Sequence, residues 1–145
     1  MAGRERGSVS IEVTILVPVF LLLVALAAVA GRGVVAQNAI EVAAHDAARA
    51  ASISRTAAAA DANARAAVDE SLRNQGLDCA ALSVRTDVTD FARPVGPADP
   101  ADPPVVSVSV TCELSFADLP LPGPLDSTVL TAAFTSPLDW YRSRS

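Results

Sequence analysis

The sequence has little of several things that common functions need. It holds a single histidine, His45, and two cysteines, Cys79 and Cys112. That is too thin a supply for a metal centre, and His45 lies far in sequence from either cysteine. No serine or cysteine has a nearby histidine in a recognisable nucleophile motif, and His45 and Asp46 are helix neighbours that should not face each other. Asp69 and Glu70 read as a solvated face. Gly31 and Gly33 form no phosphate loop. An enzyme, a cofactor and a metal are therefore not expected. Aromatic residues make up only 4% of the chain although hydrophobic residues make up 51%. Alanine carries much of that apolar count and buries little area, so a large compact core is not expected, whereas long Ala-rich helix is. The net charge is -5 and the arginines stand singly, which excludes a nucleic-acid binder. The charge is uneven: through Gln75 there are seven acidic and seven basic residues, and after it nine acidic residues against four arginines.

What the sequence has instead is one long uncharged run, Val13 to Ala30, of eighteen residues. As a helix it would be about 27 Å long, close to the hydrocarbon thickness of a bilayer. Arg4 and Arg6 precede it, which favours a cytoplasmic N-terminus and an exported C-terminal part; Arg32 follows and slightly weakens that bias. Three readings fit this run. As a secretory signal it offers "AVA" at Ala28 to Ala30, with a soluble product starting near Gly31. As a plain uncleaved anchor it leaves Glu12, at its doorway, to reach the interface without a role. The third reading gives Glu12 a task. A carboxylate near a membrane segment is costly unless a partner neutralises it. If "MAGRERG" were removed after Gly7, Ser8 would become the N-terminus, and the free amine of a neighbouring subunit could pair with Glu12.

The stretch "RGSVSIEVTILVP" (Arg6 to Pro18) resembles the type IV pilin pattern: a short basic leader, Gly7, a small residue, three more positions, Glu12, then the apolar helix. More narrowly, it resembles the TadE/TadG-like minor pseudopilins of tight-adherence (Flp-type, type IVb) pilus systems. Members share a proline partway along the membrane helix, matched by Pro18. They also tend to carry an Ala/Arg patch after it, as in "AAHDAARAA" (Ala43 to Ala51), where Arg49 matches the arginine. The resemblance covers about residues 4 to 55. It implies processing between Gly7 and Ser8 by a prepilin peptidase, and subunit assembly through Glu12 and Pro18. The implied partners are other pilin or pseudopilin subunits, pilus assembly membrane proteins and the lipid bilayer, with no nucleic acid.

From Arg32 to Asn74 the sequence reads as proline-free, Ala-rich helix, with a break expected near "SISRT" (Ser52 to Thr56). Asp61 or Asn63 is a candidate cap for the second part, and Gly76 a stop. Val34, Ile40, Ala44 and Ala47 make one thin apolar stripe, and Val68 and Leu72 another. Small side chains would let other helices come close, as in a filament or bundle; Ala helix propensity alone also explains them. The period then changes. "ALSVRTDV" (Ala81 to Val88) alternates, with Leu82, Val84 and Val88 on one face. "DFARPVGPADPADPP" (Asp90 to Pro104) is too proline-dense for a regular element. "VVSVSVTCELSF" (Val105 to Phe116) is the clearest strand, with Val106, Val108, Val110, Cys112, Leu114 and Phe116 in phase. "STVLTAAFTSPL" (Ser127 to Leu138) fits a last strand, with Leu130, Ala132 and Phe134 in phase, or a short helix.

Cys79 lies just past the helix end and Cys112 on the apolar face of the best strand. A disulfide between them would close a loop of about 34 residues, worth roughly 3.5–4 kcal/mol on the chain-entropy model. It suits an exported domain with a thin core; two buried free thiols are the alternative. The expected fold is α+β and pilin-like, with a long N-terminal helix, its first part transmembrane, followed by a small antiparallel sheet. The expected division is a leader at 1–7, a transmembrane helix at 8–31, an exported helical region at 32–76 and a β-rich domain at 77–145. The resemblance implies a minor pilin-like structural subunit, single-pass in a bacterial cytoplasmic membrane with its C-terminal domain outside, that assembles or primes a tight-adherence pilus or related secretion filament. A membrane-anchored or secreted envelope binding module is the competing reading.

Overall fold

The structure is a computed structural model that describes residues 6–93, 101–116 and 127–138, with side chains from Val13 onward. It divides into two units, Met1–Val34 and Val35–Ser145, each taken by itself. The described residues of the first are all helix. It belongs to α1 (Arg6–Ser52), which carries Pro18 inside it. Val13 to Leu26 present large aliphatic side chains on all sides, and Phe20 is 65% exposed. None of the described residues of this unit buries them, which fits a helix whose surroundings are not water.

The second unit begins with the last turns of α1. The helix ends where hydroxyls compete for its carbonyls: Ser52 Oγ donates to the Arg49 carbonyl at 2.9 Å and Ser54 Oγ to that of Ala50 at 3.0 Å. α2 (Ala57–Asn74) follows at once. Its N-cap is Thr56, whose side chain accepts from the Ala59 amide at 3.1 Å. Asp61 and Asn63, the expected caps, lie inside the helix instead. Asp61 pairs with Arg65 at 3.1 Å, and the Asn63 amide donates to Ser54 Oγ at 2.9 Å. The reason is propensity: Ala57 to Ala60 are the best helix formers available, so the helix extends back to the first hydroxyl able to cap it. At the other end Gly76 has φ +64, Leu77 N–H bonds the Leu72 carbonyl and Gly76 N–H that of Arg73. These are the paired bonds of a Schellman stop, which needs glycine at the left-handed position.

α1 and α2 pack as an antiparallel pair, tied by the Gln75 amide donating to the Ala39 carbonyl at 3.2 Å. The stripe α1 buries is Ala36, Ala39, Ile40, Ala43, Ala44, Ala47, Ala48 and Ala51. Val34 is not part of it and is 70% exposed; six residues before Ile40 it points about 120° away on the helix. α2 answers with Ala60, Ala64, Val68 and Leu72. These small residues do bring helices together, but the contact is within the chain's own second unit.

Three strands complete this unit: β1 (Ala81–Asp87), β2 (Val105–Ser115) and β3 (Ser127–Pro137), an antiparallel sheet in the order β1-β2-β3. β2 alternates as its sequence demands, with Val106, Val108, Val110 and Cys112 fully buried. Its other face carries hydroxyl pairs to β3, Ser107 to Thr135 at 2.8 Å and Thr111 to Thr131 at 3.4 Å. β1 turns Val84 into the core, but Leu82 on the same face stays 39% exposed and Val88 lies past the strand end. Asp90 to Arg93 are not irregular throughout: Thr89–Ala92 form one 3-10 turn, with Phe91 buried. β3 is a strand over its length, and Pro137 closes it where an edge tolerates proline. The core joins the alanines of both helices to these valines and Leu138. Each fully buried valine or Ile40 contributes about 1.5–3 kcal/mol, and alanine much less. Such a core gains a large fraction of its stability from any covalent tie.

Candidate functional site

That tie is present. Cys79 and Cys112 form a disulfide, with Cα atoms 5.4 Å apart. Cys112 is fully buried on the middle strand, and Cys79 packs against the core edge. Beside it the Ala80 amide bonds the Glu113 carbonyl at 2.8 Å, extending the β1–β2 ladder. The bond thus fixes the end of α2 to the centre of the sheet.

The foot of the proline-rich loop is clasped electrostatically. Arg93 Nη2 donates to Asp102 Oδ2 at 2.7 Å, and Arg93 Nη1 lies 3.7 Å from Asp90 Oδ2. Asp90 in turn accepts the Val105 amide at 2.8 Å, where β2 begins. Asp102, then Asp90, hold the Arg93 pKa above its ordinary value. At the end of β1 the Asp87 carboxylate accepts from the Thr89 hydroxyl and amide, which hold its pKa low. Asp61 is lowered mainly by Arg65 and next by the nearby Thr86 hydroxyl, although that buried hydroxyl meets no strict hydrogen-bond geometry. Residues 94–100, the middle of the proline-rich loop, lie outside the described residues.

His45 and Asp46 approach each other more closely than helix neighbours were expected to, with Nδ1 and Oδ1 3.5 Å apart. Both are half exposed. The His45 ring also meets the Phe134 ring edge-on, with centroids 4.5 Å apart. Two open hollows of about 500 and 690 Å³ flank this contact, between α1 and β3. Sequence reasoning missed this groove, because only the fold sets His45 over Phe134. The Arg93 clasp was equally hidden, since its partner Asp102 stands across the proline-rich loop.

Of the remaining sequence-derived site residues, Gly7, Ser8 and Glu12 fall in the first turns of α1, and their side chains lie outside the described residues. Pro18 sits in the same helix. Met1 to Glu5, the rest of the expected leader, are also outside the described residues. Among the described residues α1 is the one helix long and apolar enough to cross a membrane.

An apolar helix of membrane length followed by a small disulfide-tied α+β unit fits a single-pass membrane anchor. Residues 7–49 match the family model of the TadE-like proteins. That match covers Gly7, Ser8, Glu12, Pro18 and Arg49 together, and the family it describes is a structural, pilus-associated one. No curated protein and no solved structure matches the chain.

Proposed function

We propose that this chain is a minor pilin-like subunit that assembles or primes a tight-adherence pilus or a related secretion filament. The observation that carries the reading is the TadE-like match over residues 7–49, which brings the Gly7–Glu12 spacing and the apolar helix under one pattern. Prepilin peptidase cuts between Gly7 and Ser8. The new amine of a neighbouring subunit neutralises Glu12 and sets the register between subunits, relieving the cost of a carboxylate at the membrane edge. Val13 to Ala30 hold the subunit in the cytoplasmic membrane, Pro18 bends or loosens that helix for packing, and the disulfide-tied head faces outside, where an oxidising compartment maintains Cys79–Cys112.

The test is the N-terminal sequence and intact mass of the protein from native-host membranes. A chain starting at Ser8 supports the reading. A soluble product starting near Gly31 overturns it in favour of a secreted module. Glu12→Gln is expected to lose assembly and Gly7→Leu to lose processing; normal assembly from both variants would equally overturn it.

A further inference from the structure

Among the described residues the sheet ends on two strands of opposite character, β1 and β3. Among the described residues no strand pairs with the outer side of β1 or β3. β3 carries no charged residue over its eleven positions, so it lacks the usual lysine or inward charge that blunts an edge. It also leaves Phe134 42% exposed on the helix side. β1 exposes Leu82 on that same side. Both strands run antiparallel to β2, so they point the same way.

We infer that the head binds a second copy of this chain head to tail, β3 of one copy pairing in parallel with β1 of the next, so that the sheet continues from copy to copy. With the copies level, the register puts Leu82 of one beside Leu130 of the other, since both pair with Cys112 within a chain. It likewise puts Phe134 beside Thr86, since both pair with Val108. Each exposed apolar side chain gains a neighbour, and no like charges meet along the strands because β3 has none.

The helices over the sheet carry the matching charges. α1 flanks the β3 groove with Glu41, His45 and Arg49 in ascending order. α2 runs the other way over β1, with Asp61 at the level of Thr86 and Arg65 one turn below. In the extended sheet Glu41 of one copy therefore faces Arg65 of the next, and Arg49 lies on the side of Asp61. Pairing β3 with itself would leave β1 and Leu82 uncovered. A head-to-tail contact uses two different surfaces, so it repeats into an open row or a ring instead of closing as a dimer.

The test places photo-reactive p-benzoylphenylalanine at Ala133, exposed on β3, in the full chain in membranes of cells producing it. Irradiation is expected to give a ladder of dimers, trimers and longer adducts, with the attachment mapped by mass spectrometry to residues 81–87 of a second copy. Glu41→Arg should lower the yield roughly fivefold, and adding Arg65→Glu should restore it. Intact disulfide mass in every variant shows that the head has folded. Adducts that stop at dimers joined through residues 127–137, adducts on a different protein, or no adduct would each overturn the proposal. Neither processing nor filament yield enters this readout, so it stands or falls apart from the pilus reading.

Discussion

Two stretches of the same helix use apolar residues in opposite ways. In the first unit α1 is built from valine, leucine, isoleucine and phenylalanine, and those side chains face outward. In the second unit it is built from alanine, and Ala43, Ala47, Ala48 and Ala51 are fully buried. Composition counts both as hydrophobic, yet the physical consequences differ. Large side chains with nothing against them call for a surrounding that is not water, and a bilayer supplies it. Alanines contribute little transfer free energy, but they let two helix backbones and a sheet approach closely. The first stretch is held by its surroundings and the second by contacts within the chain, so perturbations should separate them.

The largest separable effect is expected from the disulfide. Cys79→Ser in the full chain should lower the unfolding free energy of the head by about 3.5–4 kcal/mol. Urea unfolding in detergent micelles, followed by circular dichroism, measures it. Membrane retention should not change. If the variant also left the membrane fraction, the two stretches would not be independent. The reciprocal change is Leu22→Arg, which places a charge near the centre of the exposed apolar run. It should cost about 2.5–3.5 kcal/mol of insertion and shift protein out of carbonate-washed membranes. The Cys79–Cys112 bond should still form, as read by intact mass with and without reductant. Loss of that bond would show the head depending on the anchor.

A smaller effect tests what the alanines do. Ala47→Leu inserts three carbons where the side chain is fully buried and should cost the head about 1–3 kcal/mol by overpacking. Ala27→Leu, on the exposed stretch, should leave head stability unchanged. Equal effects at the two positions would remove the distinction between them.

The legibility of the chain follows the same division. The apolar run, the Val-rich alternation of β2, the Gly76 stop and the change of period after the helices could be read because each is a local pattern dictated by backbone geometry. The exposed side of Leu82 could not, since it depends on β1 lying at a sheet edge. Nor could the Arg93–Asp102 clasp or the His45–Phe134 contact, whose partners are brought together only by the fold. The expected stripe on α1 holds at Ile40, Ala44 and Ala47 and fails at Val34, because alanines occupy so many positions that periodicity barely singles out a face. The apolar run itself was open to three readings, as length and hydropathy do not separate an anchor from a signal. The Glu12 spacing separates them only through a family pattern.

The cap of α2 was the most recoverable miss, and it yields the finest test. Ser52 to Thr56 gathers hydroxyls, which mark a break and also supply the cap of the next helix. Thr56 stands immediately before four alanines, and its Oγ1 satisfies the Ala59 amide at 3.1 Å, one of the donors a helix start leaves open. Thr56→Ala removes that acceptor and should cost about 1 kcal/mol of head stability. Asp61→Ala, at one of the two positions the sequence offers as a cap, removes only an exposed pair with Arg65 and should cost less. Thr56→Ser should retain most of the wild-type stability, because it keeps the oxygen. Urea unfolding of the three variants side by side gives the order. A larger loss for Asp61→Ala than for Thr56→Ala would place the start of the second helix at Asp61 rather than Thr56.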